Sequence, residues 1–170
     1  KGDAVYDSEI TNIESIELTK QDPNCGHITL LQLNGLWIVS FNFVYNKAKS
    51  KERIVAASEF LESAEENIKN NRLRPFFENS FACAELLTEA ILITFFNQTD
   101  LTNHRSRLSK MQGWAKLGNV KPEFPSTLKR LTSLRSSARY MSSTEFRSIN
   151  PQNIIKNLHE MKEFAIKSVE

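Results

Sequence analysis

Glycine is scarce here, five residues among 170, and none stands in a GxxxxGK[ST] or GxGxxG arrangement. A phosphate-cradling loop of those types is therefore excluded. Histidine is scarcer still: His27, His104 and His159 fall in three separate segments. With no HExxH and no Cys/His cluster, no metal site is expected, and no cofactor. The two cysteines, Cys25 and Cys83, lie far apart and match no ligand spacing. That usage fits a reducing, cytoplasmic setting. Cys83 sits in an apolar run and reads as a buried small hydrophobe, whereas Cys25 reads as a turn residue. No run reaches 18 apolar residues, so no membrane span is expected. The opening KGDAVYDSE lacks both the apolar centre of a signal peptide and an initiator methionine, so the chain reads as processed or as part of something longer.

What is present is ordinary in amount and uneven in placement. Hydrophobic residues make up 40% and charged residues 25% of the chain, as in a globular domain able to bury a core. Net charge is only +2. Yet residues 1–25 hold six acidic groups against Lys1 and Lys20, while residues 101–144 hold nine basic groups against Glu123 alone. A segment that basic can neutralise phosphates and release their counterions. A solvated helical face would look the same by charge alone.

Two periodicities divide the chain, and they suggest a β-meander over 1–46 and a helical bundle over 47–170. In the first part HITLLQL and LWIVSFNFVY flank Asn34-Gly35, a strong hairpin signal because both residues tolerate positive φ. A two-residue turn sets Leu33 opposite Leu36 and Leu31 opposite Ile38. Trp37, Val39, Phe41, Phe43 and Tyr45 then share one face. That face calls for cover by the helices or by a partner.

After Lys47 the period becomes helical: Ile54, Ala57, Leu61, Ala64 and Ile68 recur at three- and four-residue steps. Pro75 opens a second helix that is apolar nearly all round, interrupted on one side by Glu78, Glu85, Thr88 and Glu89. Such a helix belongs at the centre of a bundle. A third runs from about His104 to Leu117, with Leu108, Met111 and Ala115 inward and Gly118 as its C-cap. A fourth starts near Pro125-Ser126, its core stripe Leu128, Leu131, Leu134, Ala138 and Met141. A fifth starts at Asn150-Pro151 and carries Ile154, Leu158, Met161 and Ala165. The expected class is mainly α with a small β part: an antiparallel hairpin followed by an up-and-down five-helix bundle.

Two constellations could carry chemistry. Glu85 and Glu89 stand one turn apart on the apolar second helix, where carboxylates need partners; Arg135 or Arg139 of the fourth helix is the expected one. Arg135 and Arg139 share a face, an arrangement suited to anions, with Arg105, Arg107, Lys129 and Arg130 widening the basic surface.

The helix order adds a resemblance. AASEFLESAEENIKNN, FFENSFACAELLTEAIL, NHRSRLSKM and LKRLTSLRSSARYM, within residues 50–168, resemble the HEPN domains (higher eukaryotes and prokaryotes nucleotide-binding). The resemblance implies an all-α bundle, often dimeric, common in prokaryotic toxin–antitoxin and phage-defence systems. Its partners would be RNA, a nucleotide, or an antitoxin or nucleotidyltransferase-like protein. Many members are metal-independent RNases that use Arg-x4–6-His on the late helix. Arg135 matches that arginine and Glu85 the family's acidic residue. Tyr140 stands where the histidine would, and no histidine lies from 136 to 158. A tyrosine titrates near 10 and carries protons poorly at pH 7. The leading expectation is thus a non-catalytic binding domain. An RNase using Arg135 with Tyr140 or His104 comes second, and an interaction module with internally paired arginines third.

Overall fold

The computed structural model describes residues 6–10, 26–42, 46–96, 101, 103–140 and 149–170; of residues 7, 42 and 136–140 only the backbone is described. A short 3-10 turn (Asp7–Glu9) precedes the hairpin β1 (His27–Leu33) and β2 (Leu36–Asn42). Five helices follow: α1 (Lys47–Lys69), α2 (Leu73–Ile93), α3 (His104–Lys116), α4 (Glu123–Tyr140) and α5 (Pro151–Lys167). The expected class holds.

The hairpin follows from its turn. Asn34 and Gly35 have φ of 49° and 78°, the twist-matched combination for a two-residue loop. The register pairs Leu33 with Leu36 and Leu31 with Ile38, as the turn demands. It also pairs Ile28 with Phe41 and Leu30 with Val39, so one face collects Ile28, Leu30, Trp37, Val39 and Phe41. The helices do not cover that face: Trp37 is 68% and Phe41 63% exposed. Phe43 and Tyr45 lie outside the described residues.

The bundle is organised around α2, which packs against α1, α3, α4 and α5. Phe76, Phe77, Ala84, Leu87, Ile91 and Leu92 are fully buried along it. Two polar ties fix α1 antiparallel to it. Asn46, in the left-handed region at φ 56°, donates from Nδ2 to the carbonyl of Ile93 at 3.1 Å. Ser50 donates to the carbonyl of Ala90 at 2.9 Å, satisfying a hydroxyl with no exposure to water. The α1–α2 turn is completed by Asn71 at φ 55°.

Local caps set the remaining helices. Asn103 and Ser106 form a capping box at the start of α3, and Asn150 accepts from the Gln152 amide at 3.0 Å with Pro151 behind it. Gly118 takes φ 79° just beyond α3. The fourth helix begins at Glu123, earlier than Pro125-Ser126, because Pro125 is accommodated within the first turn, where no intrahelical N–H is needed. Leu128 and Leu131 are buried and Leu134 half-buried, as their spacing requires. Ala138 has only its backbone described, and Met141 lies outside the described residues. Lys121 donates to Glu160 at 2.8 Å and holds that carboxyl below its usual range, tying the α3–α4 connection to α5. No described helix is long and apolar enough to cross a membrane.

Cys83 is fully buried, and loss of water pushes its thiol up to about 12. In a Cys25→Ser background, Cys83 is expected to resist a chromogenic disulfide reagent at pH 8 and to react at once in denaturant. Rapid labelling of the native protein would show that the core opens locally.

Candidate anion-binding site

The polar side of α2 carries Glu78, Phe81, Glu85 and Glu89, spaced so that all four face neighbouring helices along one ridge. Each carboxylate meets a basic side chain of a neighbouring helix. Glu89 takes Arg53 of α1 at 2.9 Å and Arg107 of α3 at 3.1 Å. Glu85 takes the other end of Arg107 at 2.7 Å and accepts from His104 Nδ1. Arg107 therefore spans two carboxylates a turn apart, which its planar fork permits. Its Nε, buried, has no partner.

Glu78 belongs to a second group. Arg135 of α4 donates from Nε to Glu78 at 3.4 Å, a long contact. Its guanidinium lies 4.6 Å from the centre of the Phe81 ring, a cation–π arrangement. His104 meets the same ring edge-on, with centroids 5.4 Å apart. One aromatic side chain thus brings together an arginine of α4 and a histidine of α3. Beside them, Asn103, His104, Arg105, Leu108 and Thr132 line a hollow of about 410 Å³ between the two helices.

The expected partnership of Glu85 with Arg135 is corrected. Glu85 is occupied by Arg107 and His104, and the register of α4 against α2 sets Arg135 level with Glu78, two turns earlier. The six basic residues expected to bind anions are dispersed. Arg135 and Arg105 stand at or beside the α3–α4 hollow. Arg107 is held by carboxylates. Arg130 lies on the other flank of α4, lining a polar hollow of about 210 Å³ with Ser126, Thr127, Asn153 and Asn157, and Lys129 points outward. Arg139 and Tyr140 lie in α4, their side chains outside the description.

Sequence reasoning missed Phe81, Glu78, Arg53 and Thr132. Only Glu78 carried a signal, as the first acidic residue of the α2 ridge; Phe81 was hidden in an apolar run. Among the described residues no three His, Cys, Asp or Glu side chains gather as metal ligands.

The fold and the site define an up-and-down helical bundle in which a histidine and an arginine from neighbouring helices flank one aromatic ring. The chain belongs to the HEPN domain family, whose model matches residues 50–169. Membership carries a nucleotide- or RNA-related function at the level of the family. Comparison with curated proteins gives no match, and comparison with solved structures gives none either.

Proposed function

We propose that the domain binds RNA or a nucleotide through its phosphates, without cleaving it, at the mouth of the α3–α4 hollow. The observation that carries this reading is the placement of Arg135 and His104 against the single ring of Phe81, beside Arg105. Arg135 meets Glu78 through Nε alone, and a guanidinium has five N–H donors. Arg105 has no hydrogen-bond or ion-pair partner among the described residues. Among the described residues the site therefore holds cationic capacity that is not consumed, which argues against a purely structural role for these arginines. Within this reading the chain acts as a cytoplasmic homodimer in a toxin–antitoxin or phage-defence setting, with residues 1–46 as a separate N-terminal unit, as the family resemblance and the change of periodicity suggest.

A second reading rests on one further contact. Glu85 accepts from His104 Nδ1, which leaves Nε2 of a half-exposed imidazole without a partner among the described residues. Such a nitrogen can take the proton of a ribose 2′-OH as its oxygen attacks phosphorus. The P–O5′ bond then breaks, giving a cyclic 2′,3′-phosphate, while the departing 5′ oxygen takes a proton from water and Arg135 stabilises the developing charge.

One experiment separates the two. Fluorescence anisotropy with a short labelled RNA at low salt is expected to show binding that weakens roughly tenfold or more in Arg135→Ala. Wild-type affinity in that variant would sink the binding site. Incubation of the same RNA in chelator is expected to leave it intact. Cleavage abolished by His104→Ala would instead establish the second reading.

A further inference from the structure

Another hollow lies further along α3 than the one that reaches Leu108. Arg105, Leu108, Gln112 and Lys116 follow at three- and four-residue steps and form one ridge of α3. Opposite the far end of that ridge, Gln112, Ala115 and Lys116 line a second hollow, of about 400 Å³, with Pro122 and Pro125. The two hollows follow one another along the same ridge of α3, one against Thr132 of α4 and the next against Pro122 and Pro125. Arg105 and Lys116 are exposed at its two ends, and neither has a partner among the described residues. None of the described residues lining either hollow is acidic. Between them the floor is apolar or uncharged: Leu108, Gln112, Ala115, Pro125. Lys129, exposed on α4 midway along and likewise without a partner, adds to the same field.

From this geometry we infer that the α3–α4 groove is a track for single-stranded nucleic acid, running from the Arg135–His104 end to Lys116. This inference rests on the anion-binding reading and specifies its ligand as a strand rather than a mononucleotide. The eleven-residue interval from Arg105 to Lys116 spans about 16 Å at the rise of an α-helix. That length accommodates on the order of four nucleotides, the lower end of what single-strand grooves hold. Cations spaced along a groove with apolar walls match a chain whose phosphates repeat while its bases seek cover. A mononucleotide would engage Arg135, His104 and Arg105 and leave Lys116 unused.

The test is anisotropy of the full chain with labelled oligouridylates of two, four, six and eight nucleotides at low salt, with uridine monophosphate as competitor. Affinity is expected to climb steeply to about four to six nucleotides and then level off. Lys116→Glu is expected to weaken the hexanucleotide roughly tenfold and to flatten its salt dependence, with monophosphate competition unchanged. Lys116→Gln should act in the same direction by less, and both variants should melt as the wild type does. Affinity independent of length, or a Lys116→Glu variant that binds the hexanucleotide like the wild type, overturns the track and leaves the anion site standing. Failure of every oligomer and of the monophosphate overturns the anion site and the track together. Sedimentation in which Lys116→Glu dissociates a dimer without altering RNA affinity assigns the groove to contact between copies and overturns the track.

Discussion

Phe81→Ala is expected to lower stability by about 3–5 kcal/mol, read as a fall in the urea midpoint. Phe81 is 4% exposed, and its removal leaves a cavity between α2, α3 and α4 that rigid helices fill poorly. Against a total stability of order 5–15 kcal/mol the variant stays folded at room temperature but loses much of its margin. The informative companion is Phe81→Leu. Leucine keeps most of the apolar volume, so its cost stays near about 1.5 kcal/mol. It lacks a π face, however, and Arg135 loses the surface it rests on while His104 loses its edge contact. A several-fold loss of RNA affinity in Phe81→Leu, at nearly native stability, would mark the ring as the element that positions both Arg135 and His104. Identical affinity in Phe81→Leu and wild type would reduce Phe81 to a core residue.

Glu85→Ala is expected to cost about 2 kcal/mol. Breaking a fully buried ion pair costs roughly 3–5 kcal/mol, and the lower figure reflects the remaining access of water. Glu85 and Arg107 are 17% and 19% exposed. The loss falls mainly on Arg107, whose Nε is already buried without a partner and which would be left with Glu89 alone on the far side. A double-mutant cycle with Arg107→Ala isolates the pair, and a coupling above about 1 kcal/mol is expected. Coupling below about 0.3 kcal/mol would mean that water replaces the carboxylate at no cost. His104 is freed by the same change, so any cleavage that depends on Glu85 should fall alongside stability.

Much of this architecture could be read from local signals. Asn34-Gly35 dictates its own turn and hence the strand register, and the three- and four-residue steps of Ile54 to Ile68 define a helix face without reference to anything else. The all-round apolarity of α2 places it at the centre for the same reason. What escaped depends on how one helix is displaced against another. Whether Glu85 meets Arg107 or Arg135 is a matter of interhelical register, and period carries no information about it. Phe81 shows the other limit: in FACAELL an aromatic that holds an arginine and a histidine looks the same as one that only fills space. Pro125 misled by two residues, since proline fits anywhere in the first turn of a helix.

The unequal surroundings of the two tryptophans give the chain two separate optical reporters. Trp37 stands in water on the hairpin, while Trp114 is half-buried with ring centroids 4.6 and 5.2 Å from Phe95 and Phe96 at the end of α2. Trp37 is expected to emit toward the red and to be open to collisional quenchers, and Trp114 to emit further to the blue behind its neighbours. The indole of Trp114 belongs to α3, on the side away from the groove, so it follows the helix without standing in a ligand's path. Anything that seats on Trp37 or rearranges α3 thus alters a different part of the same spectrum, with no label attached.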